Sequence, residues 1–134
     1  TLKFCHDNDI GVIPHSVLAK GLLGGRYKPG DTFPEDDERR LFNFFRGKLF
    51  EQIFDVTTKL DEWAHDRGRD IVQLAVAWVI AHPAVTSAIV GMKSPQQVSQ
   101  VSMAAEWKLS TLELEEIERI IGDLQPTWNK DAFS

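Results

Sequence analysis

Cys5 is the one cysteine in 134 residues. No internal disulfide can form, and a reducing cytoplasm is the compartment expected. No run of about 18 apolar residues occurs, which excludes a transmembrane helix within this sequence. Basic residues are in the minority: 15 Lys and Arg face 20 Asp and Glu, a formal net charge of -5. A nucleic-acid footprint needs a basic face, so that class of partner is not expected. The first residues carry no charged stretch followed by an apolar one, and no secretory leader is expected there. A helix-start signal is missing too. Residues 1–9 read as the tail of a helix closed by Asp7-Asn8-Asp9, which predicts a missing upstream part.

What is present suits one folded domain. The chain is 43% hydrophobic and 26% charged, ordinary values for a globular protein. Eight Phe and four Trp supply bulk for a core. Structure is expected over residues 1–126, with a tail at 127–134. Ile10-Gly11-Val12-Ile13-Pro14 reads as a short buried strand, ended by a proline that cannot donate to a ladder. Residues 15–37 form a long connection rich in Gly, Pro and Asp, of a length that is usually functional. A helical pattern follows over 38–67, with a break at Gly47 and an end at Gly68. Asp70 is a suitable N-cap for the next helix, whose apolar face is Ile71, Leu74, Ala75, Trp78 and Val79 and which stops at His82-Pro83. Val85–Val90 is the second strand. Ser94 caps a helix with Pro95 in its first turn. Ser110-Thr111-Leu112-Glu113 is a capping box for a last helix that buries Leu114, Ile117, Ile121 and Leu124.

Strands alternating with helical patterns imply parallel β/α units. Two short parallel strands are not a self-sufficient sheet. The expected fold class is therefore α/β with mostly helical content, its sheet completed by something else. Glu35-Asp36-Asp37-Glu38 reads as a solvated loop and helix start. The aromatic residues from Phe42 to Phe54 read as core. His6, His65 and His82 lack metal-ligand spacing, so no metal site is expected.

Two segments carry chemistry. Ser16-Val17-Leu18-Ala19-Lys20-Gly21-Leu22-Leu23 and Ile89-Val90-Gly91-Met92-Lys93-Ser94-Pro95-Gln96-Gln97 each follow a short apolar run. Each supplies hydroxyls, an ammonium and backbone N–H groups near glycine, and the second adds a helix N-terminus. That set suits phosphate.

Together these segments resemble the last two βα loops of an aldo-keto reductase barrel. Gly11–Leu23 is similar to the family's seventh strand and loop, and Gly25-Arg26-Tyr27 to its Gly-Lys-Tyr. Asp70–Val90 resembles the seventh helix and eighth strand, with the Gln-Leu-Ala-x-Ala-Trp centre at Gln73–Trp78. Gly91–Val101 resembles the phosphate loop and its helix, and Glu106–Ser110 the entry to the final helix. The resemblance, nearest to the branch related to potassium-channel beta subunits, implies the C-terminal half of a parallel (β/α)8 TIM barrel. It implies NADP as cofactor. Ser16, Leu18 and Ala19 would lie along the pyrophosphate, with Gly21 allowing the turn and Arg26 adding charge. Gly91 would belong to the cofactor's phosphate-binding loop, Lys93 and Ser94 would face the 2′-phosphate, and Gln97 and Gln100 would line the adenosine side. His15 stands where the family stacks an aromatic ring on nicotinamide, Val17 where it has proline, and Val101 where it has asparagine.

The family's catalytic Asp, Tyr, Lys and His come from the other half of the barrel, and Tyr27, this chain's one tyrosine, belongs to the Gly-Arg-Tyr loop. The resemblance thus implies part of a carbonyl reductase that is inactive alone. A small carbonyl substrate would enter only when an N-terminal half is supplied. Self-association or pairing with such a half is expected. A nucleotide-binding or protein-interaction half-barrel without turnover is the alternative.

Overall fold

A computed structural model describes residues 1–122. Five α-helices dominate the described residues: α1 (Leu2–Asp7), α2 (Gly47–His65), α3 (Ile71–Ile80), α4 (Pro95–Ala105) and α5 (Thr111–Gly122). Three 3-10 turns, Ala19–Gly24, Glu38–Leu41 and Asn43–Phe45, fill the long connection before α2. Leu124, expected in the last helix, and the tail expected at 127–134 lie outside the described residues.

The caps follow the sequence. Asp70 accepts from Gln73 N–H at 2.9 Å while Gln73 Oε1 accepts from Asp70 N–H, a full capping box. Ser94 accepts from Gln97 N–H with Pro95 in the first turn. Ser110 and Glu113 bond reciprocally at the start of α5. Each such cap satisfies N–H groups that the helix itself leaves unpaired.

Four expectations change. The two strands run side by side but form no ladder. One parallel bridge joins Val12 to Val85, with Val12 N–H donating to Ala84 O at 3.1 Å and Thr86 N–H to Val12 O at 2.9 Å. A lone parallel pair lacks the neighbours that make a sheet cooperative. Nor is the first of these segments buried: Ile10 and Ile13 are exposed. The helix expected from residue 38 begins only at Gly47, because Glu38–Phe45 turns twice as 3-10 helix first. Gly47 sits at φ +53, a conformation in which a side chain would strain the backbone. Finally, α3 is buried on all sides from Ile71 to Ala77, whereas Trp78, expected inside, is 41% exposed. An all-round apolar helix is a central one, and α3 packs against α2, α4 and the Ala19–Gly24 turn.

The main core joins Phe45, Phe50, Ile53, Val56 and Leu60 to Ile71, Leu74 and Ile117. Edge-to-face rings extend it, Phe45 lying 5.7 Å from Tyr27 and 5.0 Å from Phe33 between ring centres. Each such pair adds about 0.5–1.5 kcal/mol beyond its burial. A second, smaller cluster of Val17, Val76 and Ala104 has Leu18, Val90 and Val101 packed against it. It joins the long connection to α3 and α4, beside a cleft.

Candidate functional site

A cleft of about 570 Å³ lies between the loop at 16–27 and the loop that leads into α4. Its size is that of a small-molecule site. The first wall is a strained stretch of backbone. Ser16, Ala19 and Lys20 have φ of +58, +46 and +56, and Gly21 follows at +94. Non-glycine residues in this region cost on the order of 1 kcal/mol or more each, and such strain concentrates where ligands bind. Short backbone bonds hold it: Ala19 N–H donates to Ser16 O at 2.7 Å and Gly21 N–H to Leu18 O at 2.8 Å. At Gly21 a Cβ would meet Tyr27 Cε2 at 3.1 Å, so ring and backbone approach too closely for a side chain. Val17, which departs from the family's proline, is buried against Val76 and Ala104, so its side chain anchors the loop from below.

The second wall is regular. Ile89, Val90 and Gly91 lead to Lys93, whose N–H donates to Gln97 Oε1 at 2.6 Å. Gln100 Nε2 donates to Asp70 Oδ2 at 2.8 Å, tying the cleft side of α4 to the cap of α3. That amide N–H is therefore engaged in holding two helices together, a role the sequence did not show.

Among the residues picked out from sequence, Ser16, Leu18, Gly21, Arg26, Gly91, Lys93, Gln97 and Gln100 all line this one cleft. The other three, His15, Ala19 and Ser94, do not. His15 is exposed and shares a 2.9 Å hydrogen bond with Ser16 Oγ. Ala19 supplies backbone to the strained turn, and Ser94 directs its hydroxyl to the helix cap. Lys20, the ammonium of the first segment, and Tyr27 of the Gly-Arg-Tyr motif line the cleft as well, together with Gly24 and Val72, to which sequence reasoning gave no part in it.

The charge of the lining is one-sided. Lys20, Arg26 and Lys93 are in it, and among the described residues no Asp or Glu is. Arg26 and Lys93 are exposed and have no side-chain partner among the described residues. Such a wall attracts anions, and it does so at solvent-exposed positions where salt screens the attraction. No helix among the described residues is long and apolar enough to cross a membrane.

A family model described as Aldo/keto reductase family matches residues 1–122. A Schizosaccharomyces pombe protein, the aldo-keto reductase yakc whose name specifies NADP(+), is 30% identical over 87% of this chain and 34% of its own length. A probable voltage-gated potassium channel subunit beta from Arabidopsis thaliana is 29% identical, over 86% of this chain and 36% of itself. The solved structure of a glycerol dehydrogenase from Gluconobacter oxydans superposes with a TM-score of 0.86 at 28% identity, covering 95% of this chain and 38% of that one. The chain thus spans little more than a third of the length of each.

Proposed function

The chain belongs to the aldo/keto reductase family, and from that premise we propose that it is the part of an NADP(H)-dependent oxidoreductase that holds the cofactor's phosphates and adenosine. The observation that carries this reading is the cleft that the described residues line with three cations and no carboxylate. Its chemistry fits a cofactor with a pyrophosphate and a 2′-phosphate. The strained wall at Ser16, Leu18 and Gly21, with Arg26, would hold the pyrophosphate. Gly91, Lys93 and the α4 N-terminus beyond Ser94 would hold the 2′-phosphate, with the aligned helix N–H groups favouring negative charge. Gln97 and Val101 would lie on the adenosine side, where Val101 offers apolar surface and no hydrogen bond to adenine. Gln100 would help chiefly by fixing α4 through Asp70. When bound, the nicotinamide gives or takes the hydride, and a small carbonyl compound or alcohol is the substrate.

The acid, its lysine and their partners come, in this reading, from the remainder of a barrel and not from these residues. This part on its own turns nothing over. Residues 1–126 act as one cofactor-binding unit in a reducing cytoplasm. Phe4, Ile10, Ile13, Trp78 and Ile89, all large and exposed, are the surface that a barrel-completing segment, or a second copy, would cover.

Lys93 gives the test. A charge-assisted contact to a phosphate contributes about 1.5–3 kcal/mol. NADP(H) should bind roughly ten- to a hundredfold more tightly than NAD(H). Lys93→Ala should remove most of that preference and leave NAD(H) binding nearly unchanged, as read by calorimetry. Equal losses for both cofactors would show that the 2′-phosphate does not sit at Lys93.

A further inference from the structure

The three cations in the cleft are not equivalent. Arg26 and Lys93 have no side-chain partner among the described residues, whereas Lys20 Nζ donates to Glu38 Oε1 at 2.8 Å and lies 4.7 Å from the centre of the Phe42 ring. Lys20 also lies on a boundary. It lines the cleft described above and an adjoining one of about 580 Å³, which it and Lys93 share with Asp36, Asp37, Glu38 and Arg39. One ammonium is thus within reach of both an anion site and an acidic segment.

We propose that Lys20 is a third phosphate-binding residue of this site, and that Glu38 is a built-in competitor which holds it until a phosphate arrives. The proposal rests on the cofactor reading above and adds to it a residue and a regulation. The ion pair is easily exchanged. The Glu38 side chain is 68% exposed and that of Lys20 28%, and exposed pairs of this kind contribute only about 0–1 kcal/mol. A phosphate oxygen at a cation-lined wall makes a stronger charge-assisted bond than a solvated carboxylate. The carboxylate partner nearby is not free to take Glu38's place, because Asp37 is bonded to Arg39 through both oxygens and to the Arg39 N–H. The backbone at Lys20 is held left-handed between Ala19 and Gly21. The exchange therefore needs rotation of the lysine side chain, with no change in the loop. When it occurs, Glu38 loses its partner, and the turn that it opens, Glu38–Leu41, loses one tie to the cleft.

The test is a four-protein cycle on the full chain: wild type, Glu38→Gln, Lys20→Gln and the double variant. The readout is the dissociation constant for NADPH from its fluorescence, with circular dichroism as a check on folding. Glu38→Gln should tighten binding about two- to fivefold. Lys20→Gln should weaken it about tenfold. In the Lys20→Gln background, Glu38→Gln should change nothing. Asp36→Asn, which removes a nearby charge that does not touch Lys20, should have less effect than Glu38→Gln. An unchanged Glu38→Gln affinity, or the same gain in both backgrounds, overturns the proposal, because the effect would then be absent or merely one of net charge. If the wild type does not bind NADPH, the cofactor reading fails, and inorganic pyrophosphate titrated into the same four proteins decides the latch separately. The same pattern with pyrophosphate supports it. Equal affinities, or no pyrophosphate binding by any of the four, overturn it.

Discussion

The two loops that wall the cleft meet one demand, an anion-attracting surface, by opposite means. The first, residues 16–25, is bent into left-handed backbone at Ser16, Ala19, Lys20 and Gly21. It is pinned from below by the buried side chains of Val17 and Leu22. The second, residues 91–97, relies on a regular helix start with a serine cap and a proline in the first turn. Lys93 and Met92 there are exposed. Strained backbone persists only where packing over-determines it. The comparison teaches that the first loop's shape depends on the core beneath it, while the second loop's shape is nearly local.

Substitutions at the two loops should therefore differ in size. The largest loss is expected at Gly21. In Gly21→Ala the new Cβ would stand 3.1 Å from the Tyr27 ring at a φ of +94, a combination that should cost about 1–3 kcal/mol. The urea midpoint should fall and NADPH binding should fail with it. An unchanged midpoint would mean that the left-handed stretch is not held by its surroundings, and the contrast between the loops would collapse. Ser94→Ala comes next. Losing the bond from Gln97 N–H should cost about 0.5–2 kcal/mol, and Ser94→Gly only a few tenths. A loss at Ser94 equal to that at Gly21, measured by the same urea titration, would show that the second loop is coupled to the core after all.

The smallest effect should come from outside both loops. The backbone N–H of Ser110, then its hydroxyl, and behind them the Arg67 guanidinium hold the Glu113 carboxyl below its ordinary 4.5. A lowered folded pKa contributes stability that is complete above the unfolded value and disappears as pH falls through the folded one. Stability should thus decline below about pH 4.5 in part through Glu113. Glu113→Gln should flatten that acid limb in a melting-temperature series and leave NADPH affinity alone, since α5 does not line the cleft. A shift in NADPH affinity would reveal that α5 and the cleft communicate, and the separation of the two loops from the rest would fail.

Much of this protein is local and was legible. Asp70, Ser94 and the Ser110–Glu113 pair announce three helix starts, because capping needs particular side chains at fixed short spacings. The make-up of both loops was legible for the same reason: hydroxyl, glycine and ammonium occur within a few residues of one another. Ile10–Pro14 reads as a buried strand yet exposes Ile10 and Ile13, because a short β-branched run does not reveal how many neighbours a strand will have. Trp78 was misplaced because a helix buried on nearly all sides has no single face for periodicity to identify. The tertiary structure alone decided that the two motifs form one cleft and that Gln100 is occupied with Asp70. It alone showed that Lys20 sits between that cleft and Glu38. The physical reason is separation along the chain. Caps and turns are set by interactions over three or four residues. A contact between Asp70 and Gln100, or between Lys20 and Glu38, exists only after α3 has been buried and the loops have been brought together around it.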